Sequence, residues 1–191
     1  MRIGLLGSGV VGRTLAEGYA RHGHETRVGT RETFAEVAEW AELCVLAVNG
    51  EHAVGVATTA ADGLAGKVLV DATNPLDHSS GTPALGYGFD DSLGERVQRA
   101  VPATRVVKAY NTVGAPVMVD PDFEGGPPTM LLAGDDPDAK AVVSALLAET
   151  GWDVSDLGGL DASRYLEPMC IVWVRHGLRT GTWTHAFKVL S

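Results

Sequence analysis

Cysteine is nearly absent from this sequence. Cys44 and Cys170 are its two cysteines; they lie far apart in apolar surroundings and can build neither a disulfide framework nor a zinc cluster. Long apolar runs are missing too. Nothing approaches the roughly 18 residues of a membrane span, and Ile3-Gly4-Leu5-Leu6 is too short for the core of a signal peptide. Positive charge is scarce: 15 lysines and arginines face 24 aspartates and glutamates, a net charge of −9. That balance disfavours nucleic acid and anionic membranes as partners, so any anionic ligand must be held by a local feature. The expectation is a soluble, cytoplasmic protein.

Glycine is what the chain has in excess. There are 24 in 191 residues, about 13% against a usual 7% or so. Many backbone positions must therefore turn sharply or let something approach closely. Short β-branched runs alternate with amphipathic stretches, which predicts an α/β fold with a doubly wound, mainly parallel sheet and helices on both faces. The predicted strands are Arg2–Leu6, Glu25–Gly29, Leu43–Val48, Lys67–Asp71, Arg105–Tyr110, Thr129–Ala133 and an edge strand Trp152–Leu157. Thr33-Phe34-Ala35-Glu36 matches a capping box, and Asp136-Pro137 reads as a cap followed by proline at the first helical position. Residues 72–90, rich in Pro, Gly and Ser, read as a functional loop. The tail from Asp161 reads as a helix interrupted at Pro168.

The sharpest chemical signal is Gly7-Ser8-Gly9-Val10-Val11-Gly12, a G-x-G-x-x-G between a predicted strand and helix. Gly7 makes the tight turn, Gly9 lets backbone approach a diphosphate, and Gly12 brings helix and strand together. The helix N-terminus supplies donors and partial positive charge, which answers how an acidic chain holds an anion. About 20 residues on, where an NAD-binding chain carries an acid at the strand end, stands Val28-Gly29-Thr30-Arg31. A hydroxyl and a guanidinium suit a 2′-phosphate, so the expected cofactor is NADP(H). The turns Ala47-Val48-Asn49-Gly50-Glu51-His52 and Asp71-Ala72-Thr73-Asn74-Pro75 fall where open α/β sheets bind ligands and should border the nicotinamide side.

These blocks resemble the coenzyme F420-dependent NADP oxidoreductases and, more distantly, the reductase domain of the STEAP metalloreductases. The resemblance rests on Met1–Gly7 with the glycine motif, Gly23-His24-Glu25, Val28–Arg31, Glu51-His52, Val106–Thr112, Ser163–Glu167 and Phe187–Leu190. It implies a Rossmann-type NADP-binding domain over residues 1–160 and a small helical extension over 161–191. It also implies hydride transfer between NADPH and a flavin-like acceptor, the deazaflavin coenzyme F420 or a flavin, and a homodimer. In such a protein Thr30 and Arg31 hold the 2′-phosphate. Asn111 departs from the family, standing where a histidine is expected in the deazaflavin reductases.

Hydride transfer between stacked rings needs positioning more than acid–base groups. The sequence has no Tyr-x-x-x-Lys pair, no Ser-His-Asp arrangement and no metal-ligand cluster among His22, His24, His52, His78, His176 and His185. Lys108, Tyr110 and Asn111 are the clustered candidates for proton chemistry, which a reductase of small carbonyls or imines would require; the alternative is structural, since Lys108 and Tyr110 alternate with Ala109 along a strand end and one side points into the sheet packing. A third reading is a non-catalytic NADP(H) sensor.

Overall fold

The computed structural model of the chain describes residues 1–77, 79, 81 and 83–190. His78, Ser80 and Thr82, which belong to the predicted loop, lie outside the described residues. The strands are β1 (Arg2–Leu6), β2 (Glu25–Gly29), β3 (Leu43–Leu46), β4 (Val68–Asp71), β5 (Leu76–Asp77), β6 (Ala84–Leu85), β7 (Arg105–Lys108), β8 (Thr129–Gly134) and β9 (Asp153–Asp156). Seven of them form one sheet in the order β2-β1-β3-β4-β7-β8-β9. Pairing from β2 through β7 is parallel, as it is between β8 and β9. β7 and β8 run antiparallel through Val107↔Gly134 and Lys108↔Ala133.

Alternation along β1 explains the two cores. Ile3 and Leu5 face helices α1 (Val10–Arg21) and α6 (Pro137–Glu149), meeting Leu15, Tyr19, Val143 and Leu146. Leu6 faces the other way, towards α2 (Phe34–Trp40), α3 (Gly50–Thr59) and α5 (Leu93–Ala100), which contribute Val37, Ala57 and Val97. Between these layers β3 and β4 are buried along their whole length, the pattern of strands covered on both faces. A short α4 (Ala61–Leu64) follows α3, and α7 (Ser163–Thr180) docks on β8 through Leu166 against Leu131 and Ala133.

Four local expectations are corrected. Thr33 is the N-cap of α2 but makes no side-chain cap bond; its hydroxyl accepts from the Thr30 amide at 2.9 Å. The capping box gives way to a tight turn. Pro168 does not interrupt α7, which runs through it from Ser163 to Thr180. A proline in a helix interior removes one backbone bond, and here the neighbouring Leu166 and Glu167 are tied to other elements. The loop over 72–90 carries a small antiparallel hairpin, β5 with β6. Finally, β7 stops at Lys108 rather than at Tyr110, because Tyr110 adopts a left-handed backbone with φ 61. Asp136 caps α6 as expected, accepting from the Ala139 amide at 2.7 Å, with Pro137 next to it.

Candidate functional site

Strand order reverses between β1 and β3, because the chain leaves β1 for β2 on one side and returns to β3 on the other. A crevice opens at such a switch point, beyond the carboxyl ends of the strands. Here it is a groove of about 450 Å³ lined by Gly7, Ser8, Gly9, Val10 and Val11 from the β1–α1 turn and by Thr30, Arg31 and Phe34 beyond β2. Ala47, Val48, Asn49 and His52 from the β3–α3 turn complete it with Ala72. A second hollow of about 230 Å³ shares Val48, Asn49 and Ala72, and adds Gly50, Glu51, Thr73, Asn74 and Leu76. The two hollows share that wall.

Sterics give the glycines of the turn separate tasks. Gly7, at φ +145, would push a Cβ into the Ala47 carbonyl, and a Cβ on Gly12 would strike the Gly7 carbonyl oxygen. Those two make the turn itself possible. Gly9 is different: a Cβ there would meet nothing within 4 Å. Gly9 also lines the groove, and the space beside it is open. Gly9 is also the N-cap of α1, with no side-chain cap bond and no acidic residue in the first turn. The first amides of α1 are thus left for an incoming anion, whereas α5 and α6 are capped by Ser92 and Asp136. Gly50 has a packing reason, since a Cβ would collide with the Asn74 carbonyl.

Beneath the second hollow lies a buried charge network. The Lys108 ammonium donates to Asp71 Oδ2 at 2.9 Å, to the Thr73 carbonyl at 2.7 Å and to Glu167 Oε1 at 2.8 Å. All three of its protons are used. Burial pulls the Lys108 pKa down, but the carboxylates of Asp71 and Glu167 overcome this and hold it above its ordinary value. Glu167 accepts in turn from the Leu93 and Gly94 amides, both at 3.0 Å, so α7 caps α5. Asp71 Oδ1 takes the Thr73 amide at 2.9 Å and its hydroxyl at 2.6 Å. Asn111 braces the same loop: its Nδ2 donates to Asn74 Oδ1 at 3.0 Å and to the Leu166 carbonyl at 2.8 Å, and Asn74 Nδ2 donates to the Asn111 carbonyl at 2.8 Å.

The groove therefore gathers Gly7, Ser8, Gly9, Val10, Val11, Thr30, Arg31, Val48, Asn49, His52, Ala72, Thr73 and Asn74. Gly12 lies inside the turn, and Pro75 is buried beside the second hollow without lining it. Lys108 and Asn111 are buried behind the wall, so they brace the loop and offer no exposed group to a substrate. Sequence reasoning missed Phe34 and Leu76 as lining residues; only Phe34, an apolar residue three after Arg31, carried any signal. Burial pushes the thiols of Cys44 and Cys170 up to about 12 and about 11, which keeps them unreactive. Among the described residues no group of His, Cys, Asp and Glu could hold a metal ion, and no helix is long and apolar enough to cross a membrane.

The model of the family "NADP oxidoreductase coenzyme F420-dependent" matches residues 2–44. A solved structure from Arthrobacter sp. FB24, assigned as an F420-dependent NADP-reductase, is 39% identical and covers all of both chains with a TM-score of 0.95. The F420-dependent NADP reductase of Methanothermobacter marburgensis is 34% identical over 142 residues, 71% of this chain and 62% of that protein. The rat metalloreductase STEAP3 is 31% identical over 181 residues, 87% of this chain and 36% of its own length. The chain thus spans about a third of the rat protein and less than two thirds of the methanogen reductase. A match of this identity along the whole of both chains makes this protein a member of the coenzyme F420-dependent NADP oxidoreductase family.

Proposed function

We propose that this protein binds NADP(H) along the groove and transfers a hydride between it and a flavin-like acceptor, with coenzyme F420 as that acceptor. The observation that carries the reading is the pairing of an uncapped α1 N-terminus at Gly9 with Thr30 and Arg31 beyond β2. The first suits a diphosphate and the second a phosphate on the adenosine ribose. The nicotinamide end then reaches the second hollow, where Asn49, Thr73 and Asn74 supply polar contacts. NADP(H) and the deazaflavin carry the redox chemistry themselves, and the chain's own residues bind, orient and exclude water.

A reductase of small carbonyls or imines gains nothing from Lys108, whose three protons are committed inside the fold. A homodimer is part of the same proposal, supported by exposed Val172 and Leu178 on α7.

The test offers NADPH with coenzyme F420, FMN, FAD, ferric chelate and a panel of carbonyls and imines in separate assays, following nicotinamide absorbance. Oxidation with the deazaflavin is the expected result. Turnover only with carbonyls or imines refutes the acceptor, and tight NADPH binding without any turnover makes the chain a sensor.

A further inference from the structure

The adenosine end of the groove contains a conflict. A residue count past the glycine motif finds no acid at the end of β2, yet the turn that follows brings one back. The Thr33 amide bonds the Thr30 carbonyl at 3.0 Å, and the Thr30 amide donates to the Thr33 hydroxyl at 2.9 Å. This tight turn folds Glu32 over Thr30, whose hydroxyl donates to Glu32 Oε2 at 2.6 Å. The Thr30 bond holds the Glu32 carboxyl below its ordinary range, with the turn's own amide and Arg31 adding to the effect, so Glu32 is an anion at neutral pH.

A threonine hydroxyl has one proton to give. A 2′-phosphate that takes it must displace Glu32 Oε2, and it must do so as a group carrying about −1.5 to −2 charge beside a carboxylate. The hydroxyls of an unphosphorylated ribose have the opposite relation to Glu32, because they are donors and a carboxylate accepts them. Glu32 thus opposes one nucleotide and suits the other, while Arg31 beside it favours the phosphate. Glu32 is exposed and takes no part in either core.

We propose that Glu32 sets the nucleotide selectivity of this site by competing with the 2′-phosphate for the single proton of the Thr30 hydroxyl. The inference rests on the NADP(H) reading above. It makes Glu32 a specificity-determining residue that narrows the NADPH-over-NADH preference which Thr30 and Arg31 would otherwise give.

The experiment is calorimetric titration of the full chain with NADPH and NADH, in the wild type, Glu32→Ala, Thr30→Val and the double variant. Glu32→Ala is expected to tighten NADPH by about threefold to fivefold, the scale of an exposed charge contact, and to leave NADH unchanged or weaker. In the Thr30→Val background the gain should shrink, since no shared proton remains. An unchanged or reduced NADPH-to-NADH preference in Glu32→Ala overturns the proposal, as does an equal gain in both backgrounds. No heat with either nucleotide in the wild type instead removes the NADP(H) reading itself, and this inference falls with it.

Discussion

Replacing Lys108 by methionine tests how the second hollow is held. The side chain is fully buried between Asp71 and Glu167, whose own side chains are 0% and 3% exposed. Methionine fills similar volume, so the packing loss is small. The electrostatic loss is not: two carboxylates remain in the interior and the Thr73 carbonyl loses its donor. Glu167 keeps the Leu93 and Gly94 amides and Asp71 keeps Thr73, which limits the damage without neutralising either charge. Breaking a buried pair in this way costs about 3–5 kcal/mol, against a total stability of about 5–15 kcal/mol for a domain. With a urea slope of about 2 kcal/mol per molar, the unfolding midpoint should fall by about 2 M. Adding Asp71→Asn removes one stranded charge, so the double variant should recover about 1–3 kcal/mol relative to the sum of the singles. A loss below about 1 kcal/mol, or strict additivity, would refute the account of a shared ammonium.

Three further outcomes follow from the geometry. Gly9→Ala, whose Cβ meets nothing in the protein, should cost about 1 kcal/mol or less of stability through a poorer cap yet weaken NADPH by at least about tenfold in calorimetry. Gly12→Ala, which drives a Cβ into the Gly7 carbonyl, should instead lower the melting temperature, by the equivalent of about 1–3 kcal/mol. In alkali the raised pKa of Lys108 and of the buried Tyr19–Tyr110 pair, Tyr110 being pushed up to about 12 by burial, means that unfolding releases protons. Their contribution is complete below the unfolded values of about 10 and is lost as pH rises through the folded ones; in a Tyr87→Phe, Tyr165→Phe background the tyrosinate absorbance of Tyr19 and Tyr110 should then appear together with loss of the circular dichroism signal, not before it.

The fold was legible where local rules act. Alternation in Arg2–Leu6 and the spacing of Gly7, Gly9 and Gly12 fixed the first strand, its turn and the direction of α1, and Val28–Arg31 pointed to the end of β2. Legibility failed where geometry beyond a few residues decides. The capping box at Thr33 is lost because the Thr30 amide takes the hydroxyl first. That same turn returns Glu32 to Thr30, a pairing no residue count reveals. Pro168 reads as a helix breaker, but the turn before it is fastened at Leu166 to Asn111 and at Glu167 to Lys108 and α5. The role of Lys108 is set by a partner 59 residues further along the chain, so composition and periodicity say nothing about it.

The span between Lys108 and Glu167 also bears on how the molecule is made. During synthesis the strand carrying Lys108 emerges well before the helix carrying Glu167, and until then the cation has Asp71 and the Thr73 carbonyl but only part of its final shell. Water must fill the missing position, and a solvated ammonium resists enclosure. The Lys108 site at the centre of the sheet is therefore completed only once α7 has emerged and folded back onto β8.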